Sequence, residues 1–466
     1  MPSRATAQRA VVRLATSHAA GQSWRFSATS VLTVVISLLI VANLGRIPLL
    51  STGDREAPLL LNDVCMIAVL LLGLVTGITT RSFRLDRVAL LALLFASIGA
   101  YSAMLAVPRY GLTGWQLFVS LAYLGRWLLY FNFYVVVTNL VHDEGVVRLW
   151  HALERAILVM AGFGIFQAIF IPHFAQVVYP DARIAVDFDE QGHRLVSSIL
   201  EPNMAGAMIV LVLVVQLAQL AAGERLSTWK PLTLFIALIA TLSRSSFLAL
   251  ITGVTVILLI RGLSRRVVQA LAFVGVLALA AAPQLLLFAA SYNKLKIDAS
   301  ALTRVSSWIR ALRIFSDHPI LGIGFNTYAF VQESYGYLRL GNGTYSVDGG
   351  LLFIAVMTGL VGVSLFIAML VVVVRRCRAV WRDPDAPPAW RALATGFAAA
   401  TIAICVHSLF VNSLLTPFVM EPLFLLWALG FVMARSRAQT PPVPNTGLRL
   451  AAPLTASSAP VSAGQR

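Results

Sequence analysis

The stretch RVSSWIRALRIFSDHPILGIGFNTYAF, Arg304 to Phe330, followed by SVDGGLLFIAVMTGLVGV, Ser346 to Val363, decides how the chain is read. It is a polar island between two long apolar regions. At helical spacing Val305, Trp308, Ile309, Ala311, Leu312 and Phe315 make one apolar stripe, with Arg310 and Arg313 on the opposite side. Arg304 sits on the edge of the stripe, so its guanidinium should point towards whatever the helix packs on. The helix should stop before Pro319, because the residue preceding a proline is pushed out of the α region, and Gly322 and Gly324 then permit a tight turn. A loop returns the chain to apolar sequence at Asp348.

Outward from this island the chain is hydrophobic. Of 466 residues, 58% are hydrophobic and 12% charged, with a mean hydropathy of +0.81; soluble domains carry about a quarter charged residues. An all-α, polytopic membrane protein is expected. A net charge of +16 would point to nucleic acid in a soluble protein. Here Lys and Arg scatter over short loops between apolar runs, where they set topology beside the anionic headgroups of membrane lipids, so no nucleic-acid partner is expected. Cys65, Cys377 and Cys405 form no CxxC or Cys/His cluster, which indicates neither a disulfide framework nor a metal site.

Spans of about 20 apolar residues are predicted at 30–50, 58–80, 88–107, 115–140, 152–172, 199–222, 230–242, 245–261, 267–290, 350–374, 392–413 and 417–434, about twelve in all. The first follows Arg4, Arg9, Arg13 and Arg25 and is too long, and too poorly followed by a small-residue cleavage site, for a removable signal peptide. The Lys and Arg excess places the tail 1–29 and the loops 81–87, 261–266 and 375–391 on the cytoplasmic side, leaving 173–198 and 291–348 outside. The organisation expected is a cytoplasmic tail (1–29), helices one to nine (30–290), an extracytoplasmic loop carrying site residues (291–349) and helices ten to twelve (350–434). A disordered, Pro/Ala/Ser-rich cytoplasmic tail (435–466) follows.

As a helix, Pro231 to Leu242 would rise only ~18 Å, short of a ~30 Å hydrocarbon core. Fusing 231–260 into one helix would flip everything downstream and put the Arg-rich 375–391 loop outside. Two helices joined at Ser243, Arg244, Ser245 and Ser246 are therefore expected, and polar backbone at that depth implies a surrounding cavity.

The candidate site residues follow from charge near membrane depth. Arg244 lies at that corner, where an ionisable side chain costs ~2.5–3.5 kcal/mol at the span centre and marks a pathway, a pair or a snorkelling group. Arg126 lies deep in its span and either pairs with Asp63 or meets lipid phosphate. Glu201, Pro202 and Asn203 open the sixth span. Proline at the first helical position is a normal start, but an ionised Glu beside Asn at a cavity mouth is also a candidate site. Asp348 reads either as the N-cap of the helix after it or as a proton acceptor. His193, His318 and His407 show no metal-ligand spacing, and His407 has no evident partner. Without GxxxxGK[ST] or GxGxxG, and without a cytoplasmic domain large enough for a nucleotide, no cofactor is expected.

Arg304, Trp308, Ala311, HPILGIG (His318 to Gly324), the polar residue before a helix with Gly359, Leu360 and Gly362, RLVSSILEPNMAG (Arg194 to Gly206) and LSRSSFLAL (Leu242 to Leu250) together resemble the O-antigen ligase and polymerase family. Where ligases of that family place a histidine after the large loop, this chain has Asp348. The resemblance implies a GT-C-like fold in a bacterial inner membrane, with its active site on the periplasmic or exterior side. It implies a polymerase moving glycan from an undecaprenyl-diphosphate carrier, with Asp348 and Glu201 catalytic and Arg244, Arg304, Arg194 and Arg126 on the diphosphate. Asn203 and Trp308 would have acceptor or structural roles. The partners implied are a lipid-linked oligosaccharide donor, a glycan acceptor, a chain-length regulator and a flippase. The alternatives are a ligase with another acceptor, disfavoured by the missing histidine, and a secondary transporter or lipid-linked glycan flippase, which predicts pseudo-symmetric halves and midplane charges.

Overall fold

The computed structural model describes residues 28–38, 48–50, 59–80, 83–178, 194–262, 275, 294–337 and 346–439. The predicted 267–290 span, His193 and most of the C-terminal tail lie outside the described residues. Fourteen helices are described: α1 (Ala28–Leu38), α2 (Leu61–Thr80), α3 (Arg87–Tyr110), α4 (Gly114–Leu140), α5 (Asp143–Phe170), α6 (Phe174–Val178), α7 (Pro202–Ala222), α8 (Trp229–Thr241), α9 (Arg244–Arg261), α10 (Lys294–Asp317), α11 (Tyr328–Ser334), α12 (Gly350–Arg382), α13 (Pro388–His407) and α14 (Pro417–Gln439). Eight of them are long and apolar enough to cross a membrane. The chain is an all-α polytopic membrane protein, with one short antiparallel pairing of Pro48–Leu50 (β1) and Leu59–Leu60 (β2).

The helix α7 is apolar all round, so it can only be satisfied from all sides. It is buried almost throughout and packs on α8, α9 and α13. Close approach depends on small residues, as in other membrane helix pairs. A Cβ on Gly396 would lie 2.8 Å from Val215 Cα, and one on Gly206 would lie 2.3 Å from Ser246 Oγ.

Several predicted boundaries move. The first span does not reach residue 50, because Pro48–Leu50 pairs as a strand. The fifth begins at Asp143 rather than 152: Asp143 and Glu144 occupy the first turn, where the helix dipole favours acids, and an apolar count misses a charged turn. The eleventh ends at His407, and 408–416 is irregular before Pro417. The last helix continues to Gln439, inside the predicted tail, because Arg435 donates to the carbonyls of Thr138 (2.7 Å) and Val141 (3.1 Å).

The short pair is present. The helix α8 has 13 residues and rises about 20 Å; Leu242 turns left-handed at φ 52°, and Ser243 caps α9 by accepting from the Ser246 amide. The helix α10 does end at Asp317, before Pro319, but its buried face takes in only Ala311 and, in part, Trp308 and Phe315 of the predicted stripe. Ser307, Ala311 and Ile314 are buried, whereas Val305, Ile309 and Leu312 are exposed. A small polar residue at 307 faces inward because it meets the backbone near Asp348.

The turn after α10 enters the bundle. The helix α12 is broken at Gly359 (φ 65°, ψ −169°), a backbone conformation open essentially to glycine alone. The break frees two carbonyls and two amides, and the HPILGIG turn takes all four. Ile323 N donates to Val356 O (3.0 Å), Gly324 N to Met357 O (2.9 Å), Leu360 N to Pro319 O (2.7 Å) and Val361 N to Ile320 O (3.2 Å). On the other side Phe325 N donates to Gly99 O of α3 (3.3 Å). Residues 322–325 are thereby buried between α3 and α12.

Candidate functional site

Three chain segments meet at the α8–α9 corner. Arg244 begins α9 and is exposed; Arg304, half-buried on α10, lies within electrostatic reach of both Arg244 and Asp348. Burial pushes the Arg304 guanidinium down, and the neighbouring Arg244 charge acts the same way, while the Asp348 carboxylate opposes them. Asp348 is half-buried. Burial pushes its carboxyl above the ordinary aspartate value, against the smaller downward pull of Arg304 and Arg310. A carboxylate raised by desolvation is a better base than one in water.

The backbone of Asp348 is held by α10. Ser307 Oγ accepts from the Asp348 amide at 3.2 Å, and the Trp308 indole donates to the Asp348 carbonyl. Gly349 φ is 124°, and a Cβ there would lie 2.7 Å from Leu409 O. Only glycine permits the chain to pass so close, and Gly350 N then donates to Ser408 O at 2.7 Å. The N-cap position of α12 is Gly349, with no side-chain cap bond. Asp348 is thus not the cap.

The other candidates divide between this site and the scaffold. Asn203, in the first turn of α7, accepts from Ser243 Oγ at 2.9 Å and so stands beside Arg244. Glu201 is buried at the N-cap position of α7 and makes no side-chain cap bond; Pro202 occupies the first helical position as expected. Arg194 donates through Nε to Thr241 O at 3.0 Å, closing the C-terminal end of α8. Gln167 holds the same strand of chain, accepting from the amides of Val196 (3.0 Å) and Ser197 (3.2 Å). Trp308 has a structural contact, as described.

Arg126 takes the pairing alternative. Its Nη2 lies 2.9 Å from Asp63 Oδ2, and Asp63 also accepts from the Leu60 amide (2.8 Å) and Tyr130 (3.1 Å). Arg126 lines a cavity of about 280 Å³ with Tyr123, Trp127, Phe325, Phe353 and Asn412; Arg244, Arg304 and Asp348 are not among its lining residues. His318 receives Arg109 at 3.3 Å and rests edge-on against Tyr110.

His407 was the residue the sequence left without a partner. It is fully buried, between Ser245 and Ser246 on one side and Ser413 on the other. Those partners lie up to 162 residues away in the chain, so no local pattern reveals them. Among the described residues no group of three His, Cys, Asp or Glu is placed to hold a metal ion.

The arrangement can bind an anion with two guanidiniums and take up a proton beside it. Residues 232–367, which contain Arg244, Arg304 and Asp348, match a family model described as O-antigen ligase. No curated protein matches the chain.

Proposed function

With its O-antigen-ligase-like residues 232–367 forming this site, we propose that the protein is a membrane glycan polymerase using a lipid-diphosphate-linked donor on the extracytoplasmic side. The observation that carries the reading is Arg304, placed within reach of a second arginine and a burial-raised carboxylate. In the reaction an acceptor hydroxyl oxygen bonds to the anomeric carbon of the donor sugar. The bond from that carbon to the carrier diphosphate breaks, and the diphosphate leaves with its electron pair. Arg244 and Arg304 meet the charge that develops there, since guanidinium grips phosphate oxygens bidentately and stays charged. Asp348 orients the acceptor hydroxyl and takes its proton.

The donor supplies the energy, so purified protein given lipid-linked oligosaccharide in detergent should yield a ladder of sizes without nucleotide or gradient. A single addition to an unrelated acceptor, with no ladder, would make it a ligase. Transport of intact lipid-linked glycan without new bonds would make it a flippase. The crowding of Arg244, Arg304, Asp348 and His407 at one end of the bundle favours chemistry over a midplane pathway.

A further inference from the structure

The hydrogen bonds around His407 can be assigned a direction, because a hydroxyl has one hydrogen to give. Ser243 gives its hydrogen to Asn203 Oδ1 at 2.9 Å, and Ser246 gives its hydrogen to Ser243 at 2.8 Å. Ser246 then has none left for His407 Nε2, 3.2 Å away. That contact is a hydrogen bond only with the hydrogen on Nε2, which then donates to Ser246. Ser245, 3.1 Å from Nε2, is a second acceptor for the same ring hydrogen. Nδ1 is then bare and takes the hydrogen of Ser413 at 3.0 Å.

With that tautomer the hydrogens run from Ser413 through His407, Ser246 and Ser243 to the carbonyl of Asn203. With Oδ1 held by Ser243, the Asn203 amide nitrogen is turned away from that serine and makes no hydrogen bond to the described residues. Asn203 is half-buried at the start of α7, bonded to the residue that precedes Arg244. The same knot touches the Asp348 segment, since Ser408 O accepts from Gly350 N and Phe410 lies 6.0 Å from the Trp308 ring.

We propose that His407 is a positioning residue: through Ser245, Ser246 and Ser243 it fixes the rotamer of Asn203 so that the amide nitrogen donates to an oxygen of the diphosphate held by Arg244. This deepens the donor reading above and rests on it. The histidine itself touches no substrate, being fully buried.

Two measurements test it. In full-length protein labelled with ¹⁵N-histidine, the His407 resonance, identified by its loss in His407→Gln, should show the neutral Nε2–H form at pH 7. An Nδ1–H form or a doubly protonated ring would overturn the direction of the chain, whatever the enzyme's substrate. The second measurement is turnover of lipid-linked oligosaccharide. His407→Phe should lower kcat about 10- to 100-fold, the scale of a misplaced contact, with the donor KM little changed, because the contact matters most as charge develops on the leaving group. His407→Gln places an amide nitrogen near Nε2 and should recover most of the loss; His407→Asn reaches only towards Ser413 and should not. Asn203→Asp keeps an acceptor for Ser243 but no amide donor, and should resemble His407→Phe. Equal activity of the Gln and Asn variants, or full activity of the Phe variant, would sink the proposal. An inactive wild type would sink the donor reading instead, and the resonance would still decide the tautomer.

Discussion

Asp348 and its neighbours fix what single residues should do. Asp348→Asn should keep expression and donor binding while lowering turnover by a factor on the order of 10² to 10⁴, the scale of lost general-base assistance; near-normal turnover would pass the role to Glu201. Its acid limb in a pH profile of kcat/KM should lie above the ordinary aspartate range, because burial disfavours the charged form. Arg310 acts in the opposite direction on the same carboxyl. Arg310→Gln should therefore move the limb further up, and a downward or absent movement would show that the limb belongs to another group. Lysine at Arg244 or Arg304 should impair turnover despite its charge, since an ammonium cannot form the fork; a fully active, normally expressed Arg304→Lys would refute bidentate binding there. At this scale the sequence was informative where a charge was costly. Arg244 could be placed at its corner from the short helix after Lys230, whereas depth left Arg126 between Asp63 and a phosphate, and only the fold pairs it with Asp63. His407 could not be paired, because an uncharged ring in an apolar run gives no sign of three serines brought from elsewhere.

The elements were legible wherever periodicity was uniform, and failed where tertiary bonds set a boundary. The division of 229–261 into α8 and α9 followed from length and charge, and Leu242 in the left-handed region supplies the corner. By contrast, the face that α10 buries is chosen by Ser307 meeting the Asp348 amide, against the apolar stripe. Nothing local announces that α12 breaks, because glycine inside an apolar helix is common. The break gives a sharp test. A Cβ at Gly359 would lie 2.1 Å from Ile320 O at a φ of 65°, so Gly359→Ala should cost about 1–3 kcal/mol from backbone strain plus the clash, read as a lower unfolding temperature in detergent. Gly125→Ala, which meets nothing within 4 Å, should leave that temperature unchanged or slightly raised. Equal effects of the two would mean that the turn does not depend on the break.

For the whole molecule, alternating helix direction puts Arg244, Asp348 and His407 at one end, and Arg376 with Asp86 and Arg437 with Asp383 at the other. The Lys and Arg rule assigns the second end to the cytoplasm. In a background with Cys65, Cys377 and Cys405 replaced by serine, Ser334→Cys should react with a membrane-impermeant thiol reagent in intact cells and Asp385→Cys should not. Both positions are exposed, so the reverse pattern would invert the topology. Membrane class was readable from hydropathy and charge, whereas the seating of 322–325 inside the bundle was not, because it is made by main-chain bonds that any side chains could accompany. That seating bears on biogenesis. A ribosome delivers α3 first, the turn second and α12 last, so the amides of Ile323 and Gly324 wait for acceptors that do not yet exist. Had α12 entered the bilayer as an unbroken helix, it would have kept the carbonyls of Val356 and Met357 for itself. Gly359 therefore makes the late-arriving segment open on arrival, and a nascent chain stalled before Val356 would leave the turn accessible to protease until translation resumes.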